Sequence, residues 1–301
     1  MTLSVVVTIV DGGEVLRRFL QALVNQQDAP EMQILLPYDA SVPEVAAMGT
    51  EFPGVQLIAM GETRTLRPLA TAAGQHELYD KRRAAGLVHA SGELIAILED
   101  RAPPRANWAR TAARLHAELP HGCIGGAIEC APGDLLNWAF YVCDFSRYGL
   151  PFASGPREWV SDVNVTYKRA MMDATRDVWR ERFNEALVHW ALRERGETLY
   201  LSNELVVDYK TPYSSLVGVL PERFHWGRLF GCVRARSAPA WKRAVLILLG
   251  PLIPTRLMVR HGITQMRKGN LWRYWMASPY VAALVTAWAF GEWVGYVTRE
   301  P

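Results

Sequence analysis

Apolar and polar positions alternate between two rhythms through the first two thirds of the chain. Residues 3–10 are an almost unbroken apolar run, which predicts a strand buried on both faces. Val15, Leu16, Phe19, Leu20 and Leu23 then fall on one helical face and predict a helix over about residues 14–26. A strand at 32–36 leads to the turn Tyr38-Asp39-Ala40-Ser41, a short helix at about 43–51 and a strand at 55–60. Residues 61–74 have no clear period and read as a loop. A basic helix at 80–90 turns at Ser91-Gly92 into a buried strand at 93–98, which ends in Glu99 and Asp100. Pro103 and Pro104 break the chain before a helix at 105–119 and a strand at 123–130. The Gly125-Gly126 pair in that strand leaves room for a ligand to approach the backbone. Strands alternating with helices predict an α/β architecture, a mostly parallel sheet flanked by helices.

The rhythm changes in the second half. Residues 131–160 are aromatic and irregular, either a cover over a binding site or packing beneath loops. Strands follow at 163–168 and 199–209, with a helix at 183–195 between them. After Pro212 the chain becomes basic and apolar. Residues 221–235 predict a basic amphipathic helix. The run 241–259 is apolar but holds Pro251 and Pro254. It falls short of the ~20 residues a spanning helix needs, and reads as interfacial or as a buried helical hairpin. Residues 279–297 carry a single acid, Glu292, and just suffice to span; an amphipathic or re-entrant placement is the alternative. Arg256, Arg260, Arg267, Lys268 and Arg273 lie between these two runs, and basic loops stay on the cytoplasmic side. The expected domains are residues 1–213, an α/β unit, and 214–301, a helical membrane-associating region.

Charge sharpens this division. The net charge of +3 conceals a tail (222–301) with 12 Lys/Arg and 3 Asp/Glu, against 21 basic and 27 acidic residues before it. The tail also holds six of the 11 tryptophans. Basic, Trp-rich and apolar sequence together favours a membrane surface over nucleic acid. Cys123, Cys130, Cys143 and Cys232 have neither metal-site spacing nor a disulfide framework, which fits a reduced cytoplasmic setting. The apolar start lacks a basic leader and a cleavage site, so it reads as a first strand and not as a signal peptide.

Ligands of open α/β sheets sit beyond the carboxyl ends of the strands. Glu99 and Asp100 occupy such an end, and Arg82 and Arg83 lie on the preceding helix. Acids and arginines together suit a cation and a diphosphate; a solvated acidic turn is the other reading. Asp39 stands after another strand, either accepting from a bound base or bonding its own backbone. Glu185 opens the helix at 183–195, where an acid also complements the helix dipole. His189 reads as a helix-face residue.

Residues 80–108 resemble the family-2 glycosyltransferases of the GT-A fold. The matching parts are Arg83-Ala84-Ala85-Gly86-Leu87, Ala90-Ser91-Gly92-Glu93, the strand, the triplet Glu99-Asp100-Arg101, Pro104 and Trp108. The resemblance covers roughly residues 3–210. The tail pattern Trp288-x-x-Gly291-Glu292-x-x-Gly295-Tyr296 is similar to the end of several bacterial membrane-associated members. The resemblance implies a Rossmann-like GT-A domain that binds a nucleotide diphosphate sugar, with UDP as the expected nucleotide. The sugar would pass with inversion to a hydroxyl of a lipid-linked or surface-polysaccharide precursor. The expected place is the cytoplasmic face of the inner membrane.

Residue by residue, Asp39 matches the aspartate that contacts the base and Arg83 the arginine near the diphosphate. Asn164 matches the asparagine near donor sugar and acceptor. Glu185, in Phe183-Asn184-Glu185, matches the catalytic carboxylate, with Glu181 as the fallback. Glu99 and Asp100 would hold Mn2+ or Mg2+, with Asp208 as a further oxygen ligand. Arg101 stands where the family has its metal-binding aspartate, so Arg101 and Lys210 are an alternative means of neutralising the diphosphate. That departure also motivates a second reading, a catalytically inactive membrane-tethered nucleotide-sugar-binding protein.

Overall fold

In the computed structural model residues 1–300 are described, the side chains of Arg236 and Ser237 excepted. The chain forms two compact units. The first comprises Met1–Arg64, Glu77–Glu129 and Tyr148–Tyr209. Its strands are β1 (Leu3–Thr8), β2 (Met32–Tyr38), β3 (Val55–Ala59), β4 (Leu94–Glu99), β5 (Cys123–Cys130), β6 (Gly155–Pro156), β7 (Asn164–Lys168) and β8 (Tyr200–Tyr209). They form one sheet in the order β3-β2-β1-β4-β7-β5-β8-β6. The helices of this part are α1 (Gly13–Val24), α2 (Met48–Glu51), α3 (Ala72–His89) and α4 (Trp108–Glu118). As predicted, α1 buries Leu16, Phe19, Leu20 and Leu23, and β1 is buried along its whole length.

The sheet is mixed, which corrects the expectation of a mostly parallel one. β3, β2, β1 and β4 are parallel neighbours. β7 enters antiparallel to both β4 and β5, and β6 is antiparallel to β8. Parallel neighbours require a crossover that carries the chain back to the opposite end of the strands. Between β5 and β7 the chain instead re-enters the sheet at the end it left. Two registers bear on the site. Thr8 lies opposite Glu99, and Leu98 lies opposite Asn164. The residues just before β7 therefore meet the carboxyl end of β4.

The glycines of β5 serve packing, contrary to the ligand approach expected of them. A Cβ on Gly125 would lie 2.4 Å from Val160 Cβ, and one on Gly126 would lie 2.1 Å from the Leu205 carbonyl oxygen. Helix α3 starts well ahead of the predicted residue 80, where Thr71 Oγ1 accepts from the Gly74 N–H at 3.1 Å.

The second unit comprises Thr65–His76, Cys130–Arg147 and Lys210–Pro301; a single boundary at 213 does not anticipate its first two segments. The aromatic stretch after β5 contains a helix, α5 (Leu135–Asp144), capped by Asp134, which accepts from the Asn137 N–H at 2.8 Å. It is apolar nearly all round, so it carries no period to read. Short helices α6 (Arg169–Ala174) and α7 (Arg176–Trp179) and the helix α8 (Glu185–Glu194) belong to the first unit, and α9 (Leu216–Ser237), α10 (Ala240–Leu249), α11 (Ile253–Arg267) and α12 (Leu271–Thr298) to the second.

Helices α9 and α12 approach until backbone meets backbone. A Cβ on Gly227 would lie 2.0 Å from the Trp288 carbonyl oxygen, and one on Gly291 the same distance from that of Phe224. Arg234 pairs with the buried Glu292 at 3.0 Å, and Arg223 with Asp144 at 2.6 Å. Pro251 and Pro254 do not break the apolar run as expected. They sit in the first turns of a 3-10 segment (Gly250–Leu252) and of α11, where a missing N–H leaves no bond unmade. Ala240–Arg267 and Leu271–Thr298 are thus two stretches of 28 residues, each long and apolar enough to cross a membrane. Trp241, Leu248, Leu252, Trp272 and Trp275 on them are exposed. The length, apolarity and exposure of these stretches are consistent with membrane association.

Candidate active site

The carboxyl ends of β1, β2 and β4 and the start of β7 converge around helix α3. Its two arginines point into the protein, where each is almost fully buried. Arg83 is the hub. Its Nε donates to Thr8 Oγ1 at 3.1 Å and its Nη1 to Asp80 at 3.3 Å. Its Nη2 lies 2.7 Å from Glu99 and 2.9 Å from Asp162. The Phe183 N–H donates to the Asp80 carbonyl at 3.0 Å, which ties the start of α8 to α3. Glu185, the first residue of α8 after the Asn184 cap, is hydrogen-bonded to both the backbone and the side chain of Asp162. Its side chain keeps 28% of its exposure. It is therefore a carboxyl on the rim of a buried cluster.

Three acids and one arginine share this cluster with Glu185, and the charges set one another. Burial pushes the Glu185 carboxyl well above its ordinary range, and the Asp162 carboxylate adds to that. Glu99 is pushed up for the same two reasons. For Arg83 burial acts against the charge, but Asp162, Glu99 and Asp80 outweigh it and hold the proton more firmly. Behind Glu185, the His189 Nδ1 lies 3.8 Å from its Oε1. The His189 Nε2 lies 2.9 Å from the Tyr167 hydroxyl.

Of the residues singled out from the sequence, the structure gathers Arg83, Glu99 and Glu185. Asp39 stands in a neighbouring pin. Arg82 donates to it from Nε at 2.7 Å, to the Ile9 carbonyl from Nη1 at 2.6 Å and to Ser41 from Nη2 at 3.0 Å. Burial works against the Asp39 charge, and Arg82 and Ser41 overcome it, so this carboxyl lies below its usual range. Arg101 forms a two-pronged pair with Asp11 at 2.6 and 2.7 Å.

The others do different work. Asp100 accepts backbone N–H bonds from Val10, Asp11 and Gly12 at 3.1, 3.1 and 2.9 Å, which fixes the loop after β1. Asp208 pairs with Arg105 at 2.8 Å. Asn164 is fully buried. Its Oδ1 accepts from the Trp108 indole at 2.9 Å, and its Nδ2 donates to the Ala127 and Leu205 carbonyls, both at 2.9 Å. It joins β7 to its neighbours from inside the sheet, which corrects its expected place beside a donor sugar.

The expected cation set of Glu99, Asp100 and Asp208 does not form. Each carboxylate already has a partner of its own: Arg83, three backbone N–H groups and Arg105 respectively. Among the described residues, no three of His, Cys, Asp and Glu are grouped as metal ligands. These residues do not fit a divalent cation.

Two members of the cluster, Asp80 and Asp162, escaped the sequence reading. Asp80 was signalled by its spacing, one helical turn before Arg83. Asp162 carried no local signal, because the antiparallel register of β7 against β4 brings it in.

No protein-family model matches the chain, and no curated protein matches it by sequence. Solved structures do resemble it. S. aureus TarS residues 1–349 in complex with UDP-GlcNAc is 13% identical with a TM-score of 0.51, over 93% of this chain and 91% of that one. The mannosyltransferase PcManGT from Pyrobaculum calidifontis, in complex with GDP-Man and Mn2+, is 14% identical with a TM-score of 0.50, over 96% of this chain and 85% of that one. At such identity the likeness is one of fold: the α/β sheet core and its flanking helices resemble those of glycosyltransferases.

Proposed function

We propose that this protein is a membrane-associated, inverting glycosyltransferase of the GT-A, family-2-like type. It moves a sugar from a nucleotide diphosphate donor, UDP-linked in the first instance, to a hydroxyl of a lipid-linked or surface-polysaccharide precursor. The work takes place at the cytoplasmic face of the inner membrane. The observation that carries this reading is the placing of Glu185, a partly exposed carboxyl at the rim of an acid–arginine cluster, beside strand ends where α/β ligands bind. The fold shared with structures that hold UDP-GlcNAc and GDP-Man supports the donor class.

In its ionised form the Glu185 carboxylate serves as a general base. Glu185 takes the proton of the acceptor hydroxyl as that oxygen bonds to C1. The bond from C1 to the phosphate oxygen breaks on the opposite side, and its electron pair leaves with the nucleoside diphosphate. Glu99 and Arg101 are assigned to the donor side, while Asp39 and Arg83, buried and engaged by Arg82 and Ser41 and by Thr8, Asp80, Glu99 and Asp162 respectively, hold the frame of the site. Asp100, Asn164 and Asp208 are left out, since their polar atoms are engaged in holding backbone and Arg105. No step passes through a metal ion.

The test is a panel of nucleotide sugars offered to the full chain in detergent with extracted membrane lipids, read by mass spectrometry. Consumption of one donor, with the mass of one sugar added to a lipid-linked acceptor, is the expected result. Consumption of none overturns the reading. A donor that binds without being consumed would point to the second reading, a nucleotide-sugar-binding protein, which the Arg101–Asp11 pair favours.

A further inference from the structure

One buried polar atom beside the cluster has no hydrogen bond. His189 is wholly buried, and its Nδ1 has no hydrogen-bond partner. An unmet polar group inside a protein costs free energy, so such an atom calls for an explanation. His189 sits one helical turn after Glu185 on α8, and residues four apart share a helix face. The Nδ1 faces the Glu185 Oε1 at 3.8 Å, too far for a hydrogen bond and near enough to close by a small side-chain rotation.

The other ring nitrogen, Nε2, has neighbours of its own, the Tyr167 hydroxyl at 2.9 Å and the Cys123 Sγ at 4.0 Å. Burial drives the His189 imidazole down to about 4, so it is neutral near pH 7. A neutral imidazole has one donor and one acceptor nitrogen, and the partner of one decides the state of the other. The Tyr167 hydroxyl is buried and 2.9 Å from Nε2. A tyrosine that donates there leaves the proton on Nδ1, aimed at Glu185.

We propose that His189, fixed by Tyr167, is a positioning residue whose Nδ1–H receives the Glu185 carboxylate and holds it towards the acceptor hydroxyl. The inference rests on Glu185 as the base of the proposed transfer. Without substrate Glu185 is turned to Asp162; the step to His189 frees a carboxylate oxygen for the acceptor. Misplacing a reacting group by about 1 Å costs up to ~100-fold in rate, which sets the scale of the effect.

The experiment compares the full chain with His189→Leu, His189→Asn and Tyr167→Phe. On an accepted donor, His189→Leu is expected to lower kcat by about 10- to 100-fold with donor KM within about threefold. His189→Asn keeps an N–H near the Nδ1 position and is expected to recover at least about a third of the rate. Tyr167→Phe is expected to lower kcat by about three- to tenfold and to add nothing when combined with His189→Leu. An unchanged kcat in His189→Leu, or equal losses in Leu and Asn, overturns the inference. Nitrogen NMR of the unmodified, histidine-labelled protein needs neither activity nor a variant that folds. It is expected to find the proton on Nδ1, and a proton on Nε2 overturns the inference. A wild-type chain that accepts no donor defeats the transferase reading instead, while the tautomer still judges His189.

Discussion

At the scale of single residues, the acids at the end of β4 divide their labour. Glu99 stays partly exposed beside Arg83, while its neighbour Asp100 is turned inward onto three backbone N–H groups. Hydrogen bonds to a charged group contribute about 1.5–3 kcal/mol, and donors left unmet in the interior are costly. Asp100→Ala is therefore expected to lower unfolding stability by about 3 kcal/mol, measured by chemical denaturation. Full stability with lost donor affinity would make Asp100 a ligand instead. Short motifs put Glu99, Arg83 and Glu185 forward as candidates in the sequence, and the structure gathers the three in one cluster. The sequence misassigned Asn164 because that motif is short too. An asparagine at the start of a strand looks alike whether it faces a ligand or the inside of the sheet. Only the partners decide, and Trp108 and Leu205 lie far away along the chain.

At the scale of elements, periodicity did its work wherever one face was buried. The stripe of α1 could be read because solvent and core lie on fixed sides of it, and the continuous run of β1 because both of its faces are buried. Helix α5 could not be read, since most of its faces are buried. The direction of β7 could not be read either, because strand direction depends on where the intervening chain travels. The pairing of α9 with α12 was equally hidden: glycines on both helices mark close approach only once the partner is known. Gly291→Leu would force a side chain into the Phe224 carbonyl, 2.0 Å from where its Cβ must stand. Overpacking of this kind costs about 1–3 kcal/mol, and backbone on both sides leaves little room to relax. The expected outcome is a lower melting temperature in detergent and faster proteolysis of the helical unit. A variant that melts with wild type would mean that the helices separate without cost.

At the scale of the whole molecule, the helical unit is discontinuous in sequence. Arg273 lies over the Trp138 ring at 5.0 Å, and Arg223 pairs with Asp144, so α5 depends on the tail for its cover. A chain cut after Tyr213 is thus expected to expose the apolar α5 and aggregate when expressed without detergent, as judged by size-exclusion chromatography. A soluble, monomeric product would show that α5 does not need the tail. The charge, tryptophans and apolar stretches of the tail set it apart in the sequence itself; the two earlier segments that join it in one unit carried no such signal. The central claim joins this unit to an inverting sugar transfer with Glu185 as base. Glu185→Gln keeps the shape of the side chain and removes its basicity. The most direct test measures turnover of an accepted nucleotide sugar by wild type and Glu185→Gln, with donor affinity followed in parallel. The account predicts a fall in turnover of about 10²–10⁴-fold at nearly unchanged donor affinity. Turnover within about threefold of wild type would contradict it.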